Sequence, residues 1–408
     1  MITNIELEKY SALVLGVGLN LQKGQELVIY SPIETAFVAR AMTKKAYKMG
    51  ASLVRVNYSD ETLIRLNYEY AETSALERVP KWFVDMKLDK LKQNACYVVI
   101  DAENPELLSG IDKDKLLRVS VAKGKAMKKY SDAIMKNQIR WCVASMPTES
   151  WASKIFPNDD NAMEKLWNLI KLTMRLDADD PVQAWRNHVD RLNARSKFLN
   201  DNNFEYLRFT SANGTDIKVG LAINHKWTAA EEKSADGVSF IANLPTEEVF
   251  TAPHKFKTEG VLKSALPLVS DGNVIDNFTL VFKKGKIVEY SAEKGFDALK
   301  NLIEADNGSH YLGEVALIGK NSPIAESKTL FFNTLFDENA SCHLAIGKAY
   351  PTTVFDGENL SKKELTSLGL NDSIVHADFM IGTPDLCVTG ITFDGKEVPL
   401  FTDGEWCI

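Results

Sequence analysis

The chain of 408 residues is expected to fold as a mainly parallel α/β domain followed by a β-rich domain, a combination of α/β and α+β classes. Three observations carry that expectation. The length exceeds the roughly 250–300 residues that a single hydrophobic core organises. Strand-like and helix-like segments alternate through the first half, as in a parallel sheet covered by helices. Short β segments punctuated by turn signals take over in the second half. The predicted division gives domains 1–197 and 198–408.

Each element follows in order. QELVIYSP (25–32) is an apolar run of strand length, and the helical IETAFVARAMTKKAYKMG after it stops on Gly50 as a C-terminal cap. SLVRVNYSD, a further helical stretch, ACYVVIDA and IRWCVASMP continue the alternation. DPVQAWRNHVDRLNARSKFLNDN (180–202) reads as a connecting helix with Asp180 as N-cap and Pro181 in its first turn. Beyond it, FEYLRFTSANGTDIKVGLA gives two strands about Asn213-Gly214, and FTLVFKKGKIVEYSAEKG a second hairpin about Lys284-Gly285. YLGEVALIG, SCHLAIG, VHADFMIG and CVTGITFDGKEVPLF are again short and strand-like. No repeat or low-complexity tract interrupts the pattern.

Composition narrows the function classes. With 45% hydrophobic and 25% charged residues the chain is a folded globular protein. A net charge of −7 offers no basic surface to nucleic acid or to an anionic membrane. The N-terminal stretch has neither a basic leader nor an apolar run of the ~20 residues that span a bilayer, so a cytoplasmic location is expected. The five cysteines are scattered and form no CxxC pair, as reduced thiols would. The NGT and NGS sequons at Asn213 and Asn307 therefore carry no weight.

Standard catalytic signatures are missing: no HExxH, no GxSxG and no GxxxxGK[ST]. GVG at 16–18 precedes the first strand, the wrong context for a dinucleotide fingerprint. All six histidines lie at or after His188, and five of them fall between His225 and His376, so histidine chemistry belongs to the second domain. In VHADFMIG, two-residue periodicity points Val375, Ala377 and Phe379 one way and His376 and Asp378 the other. Burying an unpaired carboxylate costs several kcal/mol, so this pair needs either mutual satisfaction or a third partner such as a metal ion.

Other acids and imidazoles sit in or beside β segments. Glu247 and Glu248 precede a strand and read equally as solvated edge residues. Glu314 lies among apolar neighbours, where a carboxylate needs a partner, either a salt bridge or an ion. Asp337 and Glu338 read also as helix caps, His343 also as a core histidine, and His254 and His310 as structural. Carboxylate and imidazole donors without cysteine suit Zn²⁺, Co²⁺ or Mn²⁺. Two ions sharing a carboxylate would activate a water and polarise a carbonyl.

NLPTEEVFTAP, YLGEVAL, NTLFDENASCH followed by GKAYP, and VHADFMIG, in that order over 243–382, resemble the successive signatures of the aminopeptidase T and aminopeptidase S family of bacterial metallopeptidases, also called thermophilic metalloproteases. The N-terminal α/β part agrees in size and character. The resemblance implies that Glu248, Glu314, Glu338, His343, His376 and Asp378 are the ligands of two divalent ions (Zn, Co, Mn or Mg), and that Tyr350 is catalytic. The choice of Glu248 over Glu247, and of Glu338 over Asp337, comes from the resemblance alone. The implied function is removal of N-terminal residues from peptides with a free N-terminus, with Tyr350 donating to the tetrahedral intermediate. Another nearby acid, or Glu314 in a dual role, carries the proton to the leaving amine. A homodimer whose N-terminal domain covers the partner's active site is also implied. A dinuclear phosphoesterase would place more basic residues among the ligand segments. A non-catalytic metal-dependent peptide-binding protein would have no use for Tyr350 beside the ions.

Overall fold

The computed structural model describes residues 2–270 and 273–408. The chain forms two compact units, one comprising the residues up to Asn187 with Glu231–Pro245, the other His188–Ala230 with Thr246–Ile408.

The first unit is built on a five-stranded parallel sheet in the order Leu53–Ser59, Glu26–Pro32, Cys96–Asp101, Trp141–Ser145, Asn243–Leu244. The continuous apolar runs form the interior strands, where Leu27, Ile29, Cys96 and Val98 are fully buried, while the edge strand Leu53–Ser59 is left partly exposed. Helix Ala36–Lys48 ends at Met49, and the chain turns at Gly50 with φ +96°, a left-handed geometry that glycine adopts without penalty. The GVG stretch lies on a π-helical turn, Val14–Gly18, that continues the first helix. Gly18 has a packing reason, since a Cβ there would lie 2.7 Å from Cys142 Sγ.

Strand Asn243–Leu244 was not anticipated. NLPTEEVFTAP reads as one segment, yet its first two residues extend the parallel sheet while Val249–Thr251 belongs to the other unit. Two residues are too few to leave a periodic trace. Helix Pro181–Asn202 starts as expected, with Asp180 Oδ1 accepting the Gln183 N–H at 3.0 Å, and the division between the units falls within it.

The second unit holds two larger antiparallel sheets. A nine-stranded sheet contains both expected hairpins, Tyr206–Thr210 with Asp216–Leu221 and Asn273–Lys283 with Lys286–Lys294. Positive φ at Gly214 (+100°), Lys284 (+49°) and Gly285 (+79°) supplies the tight turns.

The other sheet runs Val249–Thr251, Leu312–Leu317, His343–Gly347, His376–Met380. Its two central strands are buried throughout. Val315, Leu344 and Phe379 form a cross-strand row on one face, and Phe379 meets Phe278 edge to face at 5.6 Å. Burying each such side chain contributes about 1.5–3 kcal/mol, which fixes the register and commits the opposite face to whatever alternates with them. Among the described residues no helix is long and apolar enough to cross a membrane.

Candidate metal centre

What alternates with the apolar row is polar. Glu314 and Asp378 both stand opposite Ala345, and His343 stands opposite Ala316 and Met380, so these side chains share one face. His376 lies two residues before Asp378 on the same strand. Glu248 lies two residues before Phe250, which pairs with Ala316. Three strands, and the residue just before a fourth, thus deliver five donor groups to one patch, with the small Ala316 and Ala345 leaving room above the backbone.

Two triads result, each with ligand atoms within 4.8 Å of one another: Glu248, Glu314 and His343, and Glu314, His376 and Asp378. Glu314 belongs to both. Its Oε1 is 3.5 Å from His343 Nε2 and its Oε2 3.7 Å from His376 Nε2. His343 Nε2 lies 3.3 Å from Glu248 Oε2, and His376 Nε2 lies 3.3 Å from Asp378 Oδ1. These spacings are long for charged hydrogen bonds but close to the edge, about 3.4 Å, of a tetrahedron with ~2.1 Å metal bonds. Glu248 Oε2 and Asp378 Oδ1 are buried and make no hydrogen bond.

The electrostatics tell the same story. Burial pushes the Glu314 carboxyl up to about 7 despite the neighbouring His343. Burial opposes a charge on His376, yet Asp378 and Glu314 hold its imidazole up at about 10. Burial likewise works against ionised Asp378, which His376 keeps below the usual carboxylate range. Acids outnumber imidazoles here, so without a cation protons must make up the charge; a divalent ion would replace them. The donor set therefore fits a divalent metal. His376 is oriented for it: Nδ1–H donates to the Lys348 carbonyl at 2.7 Å, so Nε2, facing Glu314 and Asp378, is the nitrogen that would give up its proton to an ion.

Glu338 belongs to neither triad, although it lies close enough that burial and the charges of Asp378 and Glu248 push its carboxyl well above the ordinary value. Its neighbour Asp337 accepts the backbone N–H groups of Phe331 (2.7 Å) and Asn333 (3.0 Å) and so caps its own loop. Glu247 faces His188 Nε2 at 3.6 Å, away from the triads. Tyr350 packs edge-on to His376, ring centroids 5.0 Å apart. Burial and the surrounding carboxylates drive its phenol well above 10, so it remains an O–H donor. His254 and His310 join neither triad. Nor does any of the predicted site residues line the cavity of about 880 Å³ between helices Lys81–Lys92 and Lys113–Met135.

Sequence reasoning missed the supports of this patch. Gly313 sits at a register shift beside Glu314, where a Cβ would lie 2.4 Å from the carbonyl oxygens of Gly347 and Lys348. Asn371 Nδ2 donates to Gly347 O at 2.6 Å, tying the strand of His343 to the segment before His376. The lone glycine and asparagine carry no sequence signal that separates them from turn residues.

A sheet face that gathers buried carboxylates and imidazoles without cysteine suits a divalent metal centre. The chain belongs to the thermophilic metalloprotease (M29) family, whose model matches residues 3–406. It is 43% identical to aminopeptidase AmpS of Bacillus subtilis over 403 residues, 98% of each chain. The structure of wild-type AmpT from Thermus thermophilus superposes with a TM-score of 0.93 at 35% identity, covering 99% of both chains. A 2,5-dihydroxypyridine dioxygenase from Pseudomonas putida, at 14% identity and a TM-score of 0.55 over 100% of this chain and 98% of its own, shares the fold alone. The fold by itself thus leaves the reaction open, and the side chains on it must decide.

Proposed function

We infer that this metalloprotease is an aminopeptidase that removes residues from the free N-terminus of peptides. The observation that carries the reading is the carboxylate of Glu314 shared between two triads, and the names of the AmpS and AmpT relatives agree with it. Glu248 and His343 would hold one divalent ion and His376 and Asp378 a second, with Glu314 common to both and Glu338 alongside. Zn²⁺, Co²⁺, Mn²⁺ and Mg²⁺ are the candidates. When bound, such ions supply Lewis acidity and lower the pKa of water. Tyr350 donates its O–H to the oxyanion that develops on the scissile carbonyl. A nearby acid, or Glu314 in a dual role if one of its oxygens leaves an ion, takes the proton of the attacking water and returns it to the leaving amine. His376 is the most exposed of the five donors, at 22%, so substrate approaches from its side, where Tyr350 also stands.

The excess of acids favours a protonated α-amine at the site. A short free peptide is therefore expected to be trimmed one residue at a time, and its N-acetyl form left intact, in timed digests followed by mass spectrometry. Equal cleavage of the acetylated peptide, or early internal fragments, would point to an endopeptidase instead.

A homodimer is part of the same reading. Helices Glu61–Tyr70 and Lys81–Lys92 bury none of their residues, and Leu63, Tyr70 and Trp82 stand exposed at 58%, 81% and 67%. Apolar helix faces of this kind suit a second copy of the chain. Light scattering should give twice the 45.5 kDa chain mass, and a monomer at micromolar concentration refutes the pairing.

A further inference from the structure

We propose that Asn339 is a positioning residue for this centre, bracing Glu338 against the segment that carries Glu248. The inference rests on the ligand reading above. Four of the six candidate ligands, Glu314, His343, His376 and Asp378, lie within strands and are aimed by the sheet. The other two are not. Glu248 precedes the three-residue strand Val249–Thr251, and Glu338 sits on the single 3-10 turn Glu338–Ala340. A ligand outside regular structure needs something else to hold it.

Asn339 touches both segments. It is fully buried, at 0% exposure. Its Oδ1 accepts the backbone N–H of Glu247, 92 residues away in sequence, at 2.8 Å. Its Nδ2 donates to Leu335 O at 3.0 Å and reaches Glu338 Oε1 at 3.5 Å, the outer limit of a hydrogen bond. One uncharged amide thus accepts from the residue beside one ligand and donates toward the carboxylate of another. An amide side chain does both, from two separate atoms, without adding charge beside the acids. An aspartate would keep the acceptor, lose the donor and repel Glu338. An alanine would lose both.

The test is Zn²⁺ affinity of the metal-free protein, by competition with a chromophoric chelator, together with the visible spectrum of the Co²⁺ form. The variants are Asn339→Asp, Asn339→Ala, Glu338→Gln and the double variant Asn339→Asp with Glu338→Gln. Both Asn339 variants are expected to lose about 10–100-fold in Zn²⁺ affinity and to shift the Co²⁺ spectrum, as removal of an outer-shell partner does. Should Asn339→Ala fail to fold, the nearly isosteric Asn339→Asp decides. Because the loss runs through Glu338, the double variant should bind no more weakly than Glu338→Gln alone. Wild-type affinity and spectrum in Asn339→Asp, with Glu338→Gln weakened, overturns the positioning role and leaves the ligand reading standing. So do additive losses in the double variant, or a loss that only tracks a fall in the metal-free melting temperature. A Glu338→Gln protein that binds Zn²⁺ as tightly as wild type overturns Glu338 as a ligand and this inference with it.

Discussion

Thorough removal of divalent ions is expected to abolish release of amino acids from short peptides, and addition of Co²⁺, Zn²⁺ or Mn²⁺ to restore it. The five converging donors hold no cysteine and leave Glu248 Oε2 and Asp378 Oδ1 without hydrogen bonds, a set that suits a divalent ion. Restoration without refolding is expected because the strands that carry the donors are fixed by the apolar row Val315, Leu344 and Phe379 on their other face. Asp378→Asn and His376→Ala should lower metal content for the same reason while the fold survives. Peptide cleavage at the original rate by protein shown by elemental analysis to carry no divalent ion would sink the metallopeptidase reading.

Tyr350→Phe is expected to lower kcat by about 10²-fold or more with metal content unchanged, the scale on which one oxyanion donor acts. The substitution is clean. The ring is held edge-on by His376 at 5.0 Å and Phe250 at 6.3 Å, contacts that phenylalanine keeps, so only the hydroxyl is lost. A loss confined to kcat identifies an interaction made in the transition state, whereas a rise in KM alone would identify substrate binding. Unaltered kcat would remove the phenol from the chemistry.

Much of this architecture is readable from local pattern. The turns at Gly214 and Gly285, the Gly50 stop and the Asp180 cap each follow from the backbone torsions or hydrogen bonds that glycine and aspartate favour. The alternation in His376–Met380 is visible because one strand face is apolar. Local pattern is silent where the decision is tertiary. Glu247 and Glu248 are chemically equal and adjacent, and only the folded chain turns one toward His188 and the other toward His343. Asp337 and Glu338 are likewise separated only by the N–H groups of Phe331 and Asn333 that the former accepts. Asn339 gives no sign of itself beside those acids, since its bond to Glu247 spans two distant segments. The chain's return to the parallel sheet at Asn243–Leu244 is too brief to leave any trace.

The row Glu314, Ala345, Asp378 places the two outer Cα atoms two strand spacings apart, about 10 Å, a gauge set by peptide hydrogen bonds and not by the donors themselves. The conformational freedom of four of the donor side chains is thus already curtailed when the sheet closes, before any ion arrives. An ion entering finds little left to order, and an ion leaving returns no large reserve of disorder. With its ions removed, the patch is left with an excess of carboxylates, balanced only by protons and two imidazoles, at close quarters in a frame set by the sheet. Its most direct relief is to capture another cation, so the sheet itself makes the empty protein a scavenger.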